Sequence, residues 1–112
     1  MLVEGARDAL RLLSKGIPAL AILGTNNWSA KKLELLMLLE IDYIVLMMDA
    51  DQPGIDARKS IQKAAEKKIE TRSVKLEKIQ QSVIGEFKKE DAWDPGNIPE
   101  EVLDKIIRKL LK

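Results

Sequence analysis

The sequence predicts an α/β fold: a four-stranded, mainly parallel sheet flanked by helices. Three observations lead there. The run Tyr43-Ile44-Val45-Leu46-Met47-Met48 is apolar without a break, as strands covered on both faces of a parallel sheet are. Apolar runs alternate along the chain with stretches of helical periodicity, which implies parallel strands joined by right-handed crossovers. The central run then stops at Asp49-Ala50-Asp51-Gln52-Pro53-Gly54, where carboxylates and turn formers replace apolar side chains. Ligands of such sheets sit just beyond the carboxyl ends of the strands.

Taken in order, Met1-Leu2-Val3 reads as the end of an apolar strand running into Glu4-Gly5. It is shorter than the usual five or six residues, so the chain is expected to be a domain cut from a longer protein. Ala6 to Lys15 is a helix with Ala6, Ala9, Leu10 and Leu13 as its buried stripe, and Gly16 stops it. Ala19 to Leu23 is a second buried strand ending at Gly24-Thr25. Asn26-Asn27-Trp28 is a loop, and Ser29 is an N-cap for a helix from Ala30 to Glu40. After the central strand, Pro53 and Gly54 open a helix to about Lys68, with Ile55, Ile61, Ala64 and Ala65 facing inward.

Thr71 to Leu76 alternates as a fourth strand near the sheet edge. Glu77 to Lys89 carries Ile79, Val83 and Phe87 at helical spacing, and Asp91 to Asn97 is loop. Pro99-Glu100-Glu101 starts the last helix, with Pro in the first turn and acids at the positive end of the dipole. Val102, Leu103, Ile106, Ile107, Leu110 and Leu111 give it an apolar face. One domain over residues 1–112 is expected, with a βαβαβαβ core over 1–76 and a loop and C-terminal helix over 77–112.

Composition narrows the chemistry. The 112 residues carry a net charge of +1, so no global basic field announces nucleic acid. There is no Cys and no His, which excludes zinc ribbons, disulfides, the usual zinc sites and imidazole acid–base catalysis. A cytoplasmic setting fits. No run approaches the ~20 apolar residues of a membrane span. Glu4, Arg7 and Asp8 fall where a signal peptide would be apolar, so no membrane association is expected.

Asp49 and Asp51 stand at i and i+2, a spacing that returns both to one side of an extended chain, roughly 6 to 7 Å apart. Glu4 follows the first strand. If the first and third strands are neighbours, as in the order 2-1-3-4, all three carboxylates meet where the strand order reverses. Two like charges ~4 Å apart repel by about 4 kcal/mol at an effective dielectric near 20. Such a cluster either raises its pKa values or takes up a divalent cation, here an oxygen-liking ion such as Mg²⁺ or Mn²⁺. The plainer alternative is that these acids cap helices and face water.

Other aspartate motifs fit less well. A calcium loop starting at Asp49 needs an oxygen ligand where Pro53 stands and a Glu where Ser60 stands. A phosphoaspartate enzyme needs a lysine and a hydroxyl after later strands, and nothing suitable follows Thr71 to Leu76. No glycine-rich phosphate cradle with Lys is present. Lys31 and Lys32 open a helix, where positive charge opposes the dipole; contact with nucleic acid accounts for that, as does a solvated surface. Thr25, Asn26 and Asn27 could touch phosphate or template, or simply punctuate a loop. Trp28 and Trp93 could stack on bases or anchor loops, and Met47-Met48 is core.

Leu2-Val3-Glu4-Gly5-Ala6-Arg7-Asp8 resembles the hhEGxxD segment of Toprim domains. Gly24-Thr25 resembles the GT or GH after their second strand, and Met48 to Ala57 resembles their hDxDxxGxxA. Within that family the chain looks most like the DnaG-type primases of bacteria and phages, which add a later aspartate–proline element. The resemblance implies a Rossmann-like Toprim fold with Glu4, Asp49 and Asp51 as catalytic carboxylates and metal ligands. Asp8 would be an auxiliary metal carboxylate, and Asp94 the first acid of the DPD element, whose second position is Gly96. It implies two-metal nucleotidyl transfer making RNA primers from ribonucleoside triphosphates on a single-stranded DNA template. A replicative helicase would be a possible partner. A Toprim nuclease using the same carboxylates, or a non-catalytic Toprim module, are the alternatives. Without a basic subdomain the chain is expected to prime poorly on its own.

Overall fold

Four parallel strands in the order β2-β1-β3-β4 carry the fold. The computed structural model describes residues 1–22 and 30–110. The strands are β1 (Leu2–Val3), β2 (Leu20–Ala21), β3 (Tyr43–Leu46) and β4 (Glu70–Ser73). The helices are α1 (Ala6–Ser14), α2 (Ala30–Leu38), α3 (Gln52–Ala65), α4 (Leu76–Ile84) and α5 (Glu100–Leu110). The expected α/β architecture and strand order are those of the molecule. Gly24-Thr25, the 26–28 loop, the Ser29 cap and Leu111 lie outside the described residues.

The register explains the site. Leu2 of β1 pairs with Leu20 on one side and with Leu46 on the other. Because all pairs are parallel, Glu4 and Asp49 leave the sheet from the same end. The chain steps from β1 outward to β2, then returns across β1 to β3, so the order reverses between β1 and β3. That is where an open sheet leaves a crevice.

Alternation along the strands feeds two cores, one per face. Val3, Met47, Val74 and Trp93 pack with Leu12 of α1, Leu76 of α4, and Leu103 and Ile106 of α5. Leu2, Ile44, Leu46 and Met48 pack on the other face with Leu33 and Leu36 of α2 and Ile61 and Ala65 of α3. Met47 and Met48 thus enter opposite cores. α1 and α5 are also tied by Lys15, whose Nζ lies 2.7 Å from Glu100 Oε1 and 3.2 Å from Asp104 Oδ1.

Several elements differ from the sequence expectation. The stripe of α1 is not Ala6–Ala9–Leu10–Leu13: the buried residues are Asp8, Ala9 and Leu12, while Leu10 is 66% and Leu13 50% exposed. The helix is rotated so that Asp8 faces the end of the sheet. On α3 the buried residues are Gly54, Ala57, Arg58, Ile61 and Ala65, and Ala64 faces out. Val83 of α4 is exposed.

The helix ends also shift. α2 and α3 stop short of Glu40 and Lys68 because Glu40 (φ 62°) and Lys67 (φ 67°) take left-handed conformations there. Non-glycine residues seldom adopt these, so no sequence signal marked the ends. β4 ends at Ser73, and Leu76 already belongs to α4, which Gly85 (φ 80°) terminates. The helix that the Glu77–Lys89 spacing suggests is α4, which starts one residue earlier and ends at Ile84; a 3-10 turn over Lys89–Asp91 and α5 follow it.

Gly54 lets α3 start where it does. A Cβ on it would lie 2.2 Å from the Asp49 carbonyl oxygen, a backbone atom that cannot swing aside. Gly54→Ala is expected to cost about 3 kcal/mol or more, at the upper end of the overpacking range, because the α3 N-terminus must lift off the end of β3. Urea unfolding at neutral pH checks this; a stability within 1 kcal/mol of wild type refutes it.

Candidate metal centre

Glu4 is the first residue past β1, and its Oε2 accepts the backbone N–H of Asp49 at 2.7 Å. This single bond spans the β1–β3 seam and turns the Glu4 carboxylate toward the loop after β3. Asp51 is the N-cap of α3, with its Oδ1 accepting the Gly54 N–H at 2.9 Å, the role Asp favours at a helix start. Oxygens of Glu4, Asp49 and Asp51 lie within 4.8 Å of one another. The expected convergence of these three acids is present.

Asp8 and Asp94 stand beside the triad. Asp8, one turn into α1, is 7% exposed and stands against the Asp94 carboxylate, whose charge raises its pKa. Asp94 comes from the loop before α5, where its Oδ1 accepts the Gly96 N–H at 2.7 Å and its own N–H donates to Asn97 Oδ1 at 2.8 Å. Gly96 sits against both carboxylates. A Cβ there would lie 2.7 Å from Asp8 Oδ1 and 3.1 Å from Asp94 Oδ1.

So many carboxylates in so small a volume hold protons. Asp49 is pushed up to about 9, first by burial, then by its hydrogen bond to Glu4, then by the charges of Glu4, Asp8 and Asp94. Asp8 is pushed up to about 6, first by burial and then by the Asp94 charge, while backbone N–H groups of Gly5 and Gly96 pull it down.

One atom in this network has no partner. Asp49 Oδ1 is buried and makes no hydrogen bond, a state that costs free energy unless something fills it. An all-oxygen donor set with an orphaned carboxylate oxygen fits a hard divalent cation, which would replace the Asp49 proton. Glu4, Asp49 and Asp51 are the side chains placed to hold it.

The other residues singled out by sequence have simpler roles. Lys32 Nζ donates to the Ile22 carbonyl at 2.8 Å, closing the end of β2; this accounts for a cation in the first turn of α2. Lys31 is exposed. Trp93 is buried in the core under the α4–α5 face and anchors its loop rather than offering a stacking surface. Thr25, Asn26, Asn27 and Trp28 lie outside the described residues.

Sequence reasoning missed two residues that hold the Asp94 loop. Arg11 of α1 donates from Nη1 to the carbonyls of Ile98 at 2.7 Å and Pro95 at 3.3 Å. Gln80 of α4, fully buried, grips the backbone of Asp91 and Trp93. Both contacts join distant parts of the chain. The one local sign was a polar side chain at Gln80, four residues after buried Leu76.

Among known families, residues 1–82 match the model of a Toprim-like family. Neither a curated protein nor a solved structure matches the chain.

The raised carboxyls fix a pH dependence. An Asp whose folded pKa lies near 9 rather than 3.8 keeps its proton in the folded chain while the unfolded chain has lost it. The folded state therefore binds more protons between about pH 4 and 9, and stability falls as pH rises through that window. Asp8 adds to the loss between about pH 4 and 6. The metal-free protein is expected to melt at progressively lower temperature from pH 5 to 9, and saturating Mg²⁺ should flatten the curve. Apparent Mg²⁺ affinity should rise about tenfold per pH unit between 6 and 8, as one proton leaves for each ion bound. Calorimetric titration in buffers of different ionisation enthalpy measures that proton; an affinity that ignores pH would show that no proton is displaced from Asp49.

Proposed function

The chain belongs to the Toprim-like family, and on that premise we propose that it is the metal-binding catalytic domain of a primase. It would extend RNA primers from ribonucleoside triphosphates on single-stranded DNA. The observation that carries the metal-dependent reading is the triad of Glu4, Asp49 and Asp51 oxygens within 4.8 Å, with Asp49 Oδ1 buried and unpartnered. The primase reading is favoured over other Toprim chemistries by the Asp94-Pro95 segment, which adds a carboxylate beside Asp8 and close enough to Asp49 to raise its pKa.

In this reading Asp49 and Asp51 hold Mg²⁺ or Mn²⁺, which when bound polarises a phosphoryl oxygen and eases deprotonation of an attacking hydroxyl. The chain's own side chains do the rest. Glu4, held by the Asp49 N–H, accepts a proton at its free carboxylate oxygen. Asp8 and Asp94 place two further carboxylates behind the site, which favours a cation there. Asp51 stays at the head of α3, where the helix dipole steadies its charge. No helix among the described residues is long and apolar enough to cross a membrane. Template and nucleotides are the partners this function requires, and a replicative helicase is a further partner it would accommodate.

A nuclease is the second reading, since the same carboxylates can direct water rather than a 3′-hydroxyl at a phosphodiester. Four incubations, each with and without Mn²⁺, separate the two: ribonucleotides with single-stranded template, duplex DNA, structured RNA, and protein alone. Metal-dependent dinucleotide or primer synthesis supports the primase; metal-dependent breakdown of DNA or RNA replaces it with the nuclease.

Asp49→Asn tests the centre under either chemistry. Activity should fall about 10³-fold, several kcal/mol of lost transition-state stabilisation at 1.36 kcal/mol per tenfold. Metal-free stability at pH 8 should rise instead, because the variant no longer buries an acid beside Glu4. A variant that loses stability at pH 8 as well as activity would sink the assignment.

A further inference from the structure

We propose that Gln80 is a positioning residue for the acidic centre, acting through the Trp93 backbone on the Ala50 amide between Asp49 and Asp51. The inference rests on the metal-binding reading above and names what holds that site in shape.

Three hydrogen bonds form the relay. Gln80 Nε2 donates to the Asp91 carbonyl at 2.7 Å, and Gln80 Oε1 accepts the Trp93 N–H at 2.7 Å. The Trp93 carbonyl in turn accepts the Ala50 N–H at 2.7 Å. Gln80 is 0% exposed, so both ends of its carboxamide work out of water, where linked hydrogen bonds polarise one another and a missing partner is costly.

The covalent positions of these groups give the relay its reach. The Ala50 N–H belongs to the peptide that leaves Asp49, so its direction helps set where the Asp49 and Asp51 side chains point. The Trp93 carbonyl belongs to the peptide that enters Asp94. One link therefore orients acids from two segments of chain at once. Arg11 holds the far side of the same loop through Pro95 and Ile98, and the Trp93 ring is packed in the core. What remains free to shift is the Asp91–Trp93 backbone, and Gln80 fixes it. Groups that orient metal ligands typically change metal affinity by 10- to 100-fold when removed.

The test uses the whole chain and Mn²⁺ alone, followed by electron paramagnetic resonance at fixed pH. Gln80→Met, which keeps length and removes both bonds, should weaken Mn²⁺ binding by about 10- to 100-fold. Gln80→Glu, which keeps an acceptor for Trp93, should retain most of the affinity. Leu76→Ala, which strips core packing from the same helix, should lower the melting temperature while the folded protein binds Mn²⁺ as wild type does. Hydrogen exchange on the unaltered chain gives a reading that needs no variant to fold: the Ala50 and Trp93 amides should open together. Independent opening of those amides, or wild-type Mn²⁺ affinity in Gln80→Met, overturns the positioning role and leaves the metal-binding reading intact. A wild-type chain that takes up no Mn²⁺ overturns both.

Discussion

Mutual repulsion among carboxylates is the constraint around which this fold is arranged. With the triad oxygens within 4.8 Å of one another, two full charges there repel by about 3 kcal/mol or more at an effective dielectric near 20. A small domain has only about 5 to 15 kcal/mol of net stability, so three ionised acids and two near neighbours cannot be left uncompensated. The protein compensates with backbone N–H groups: that of Asp49 for Glu4, that of Gly54 for Asp51, that of Gly96 for Asp94. It leaves the remainder to a proton on Asp49. Each of those donors sits at the end of a strand, the head of a helix or a tight turn. The parallel pairing of β1 with β3 is what brings them to one place.

The legible part of the fold was the part written in local pattern. The apolar run into Asp49 could only be a buried strand, and the Pro53-Gly54 pair could only start something after a turn. With Leu2-Val3 read as a strand, Glu4 fell beside Asp49 as soon as β1 and β3 were neighbours. The face of α1 was not legible. Ala6, Ala9, Leu10 and Leu13 satisfy helical spacing as well as the buried set does, and periodicity alone cannot choose between stripes about one residue apart. The choice is made by Asp8, which is drawn into the site by Gly5, Gly96 and Asp94, and by α5, which covers Leu12. A charged residue took the inward position that an apolar count assigned to Leu13.

The holding contacts were illegible for a different reason. Arg11 reaches residues 84 and 87 positions away, and Gln80 secures a loop that has no regular structure of its own. Neither belongs to a motif, since what each recognises is a backbone carbonyl or N–H that any sequence could supply. Arg58 is similar. It is buried on α3 and pairs with Glu77 of α4 at 2.6 Å, so it bridges the two sheet faces where hydrophobic spacing predicted nothing.

Gly96 shows how the chain departs from the pattern it resembles without opening the site. Where the pattern it resembles carries a second acid after Asp94-Pro95, a Cβ would push the Asp8 and Asp94 carboxylates aside. The position supplies an N–H to Asp94 instead, and the same residue lowers the pKa of Asp8. An acid would have added a charge to a cluster already holding Asp49 near 9; the glycine removes part of the repulsion. The loop thus brings one carboxylate and one donor, and the charge presented to a cation is set by Glu4, Asp8, Asp49, Asp51 and Asp94 alone. On the proposed metal-binding reading a cation would meet Asp49 as the one acid left without a donor at its buried oxygen, because neutralising N–H groups already serve Glu4, Asp51 and Asp94, while Asp49 Oδ1 has none.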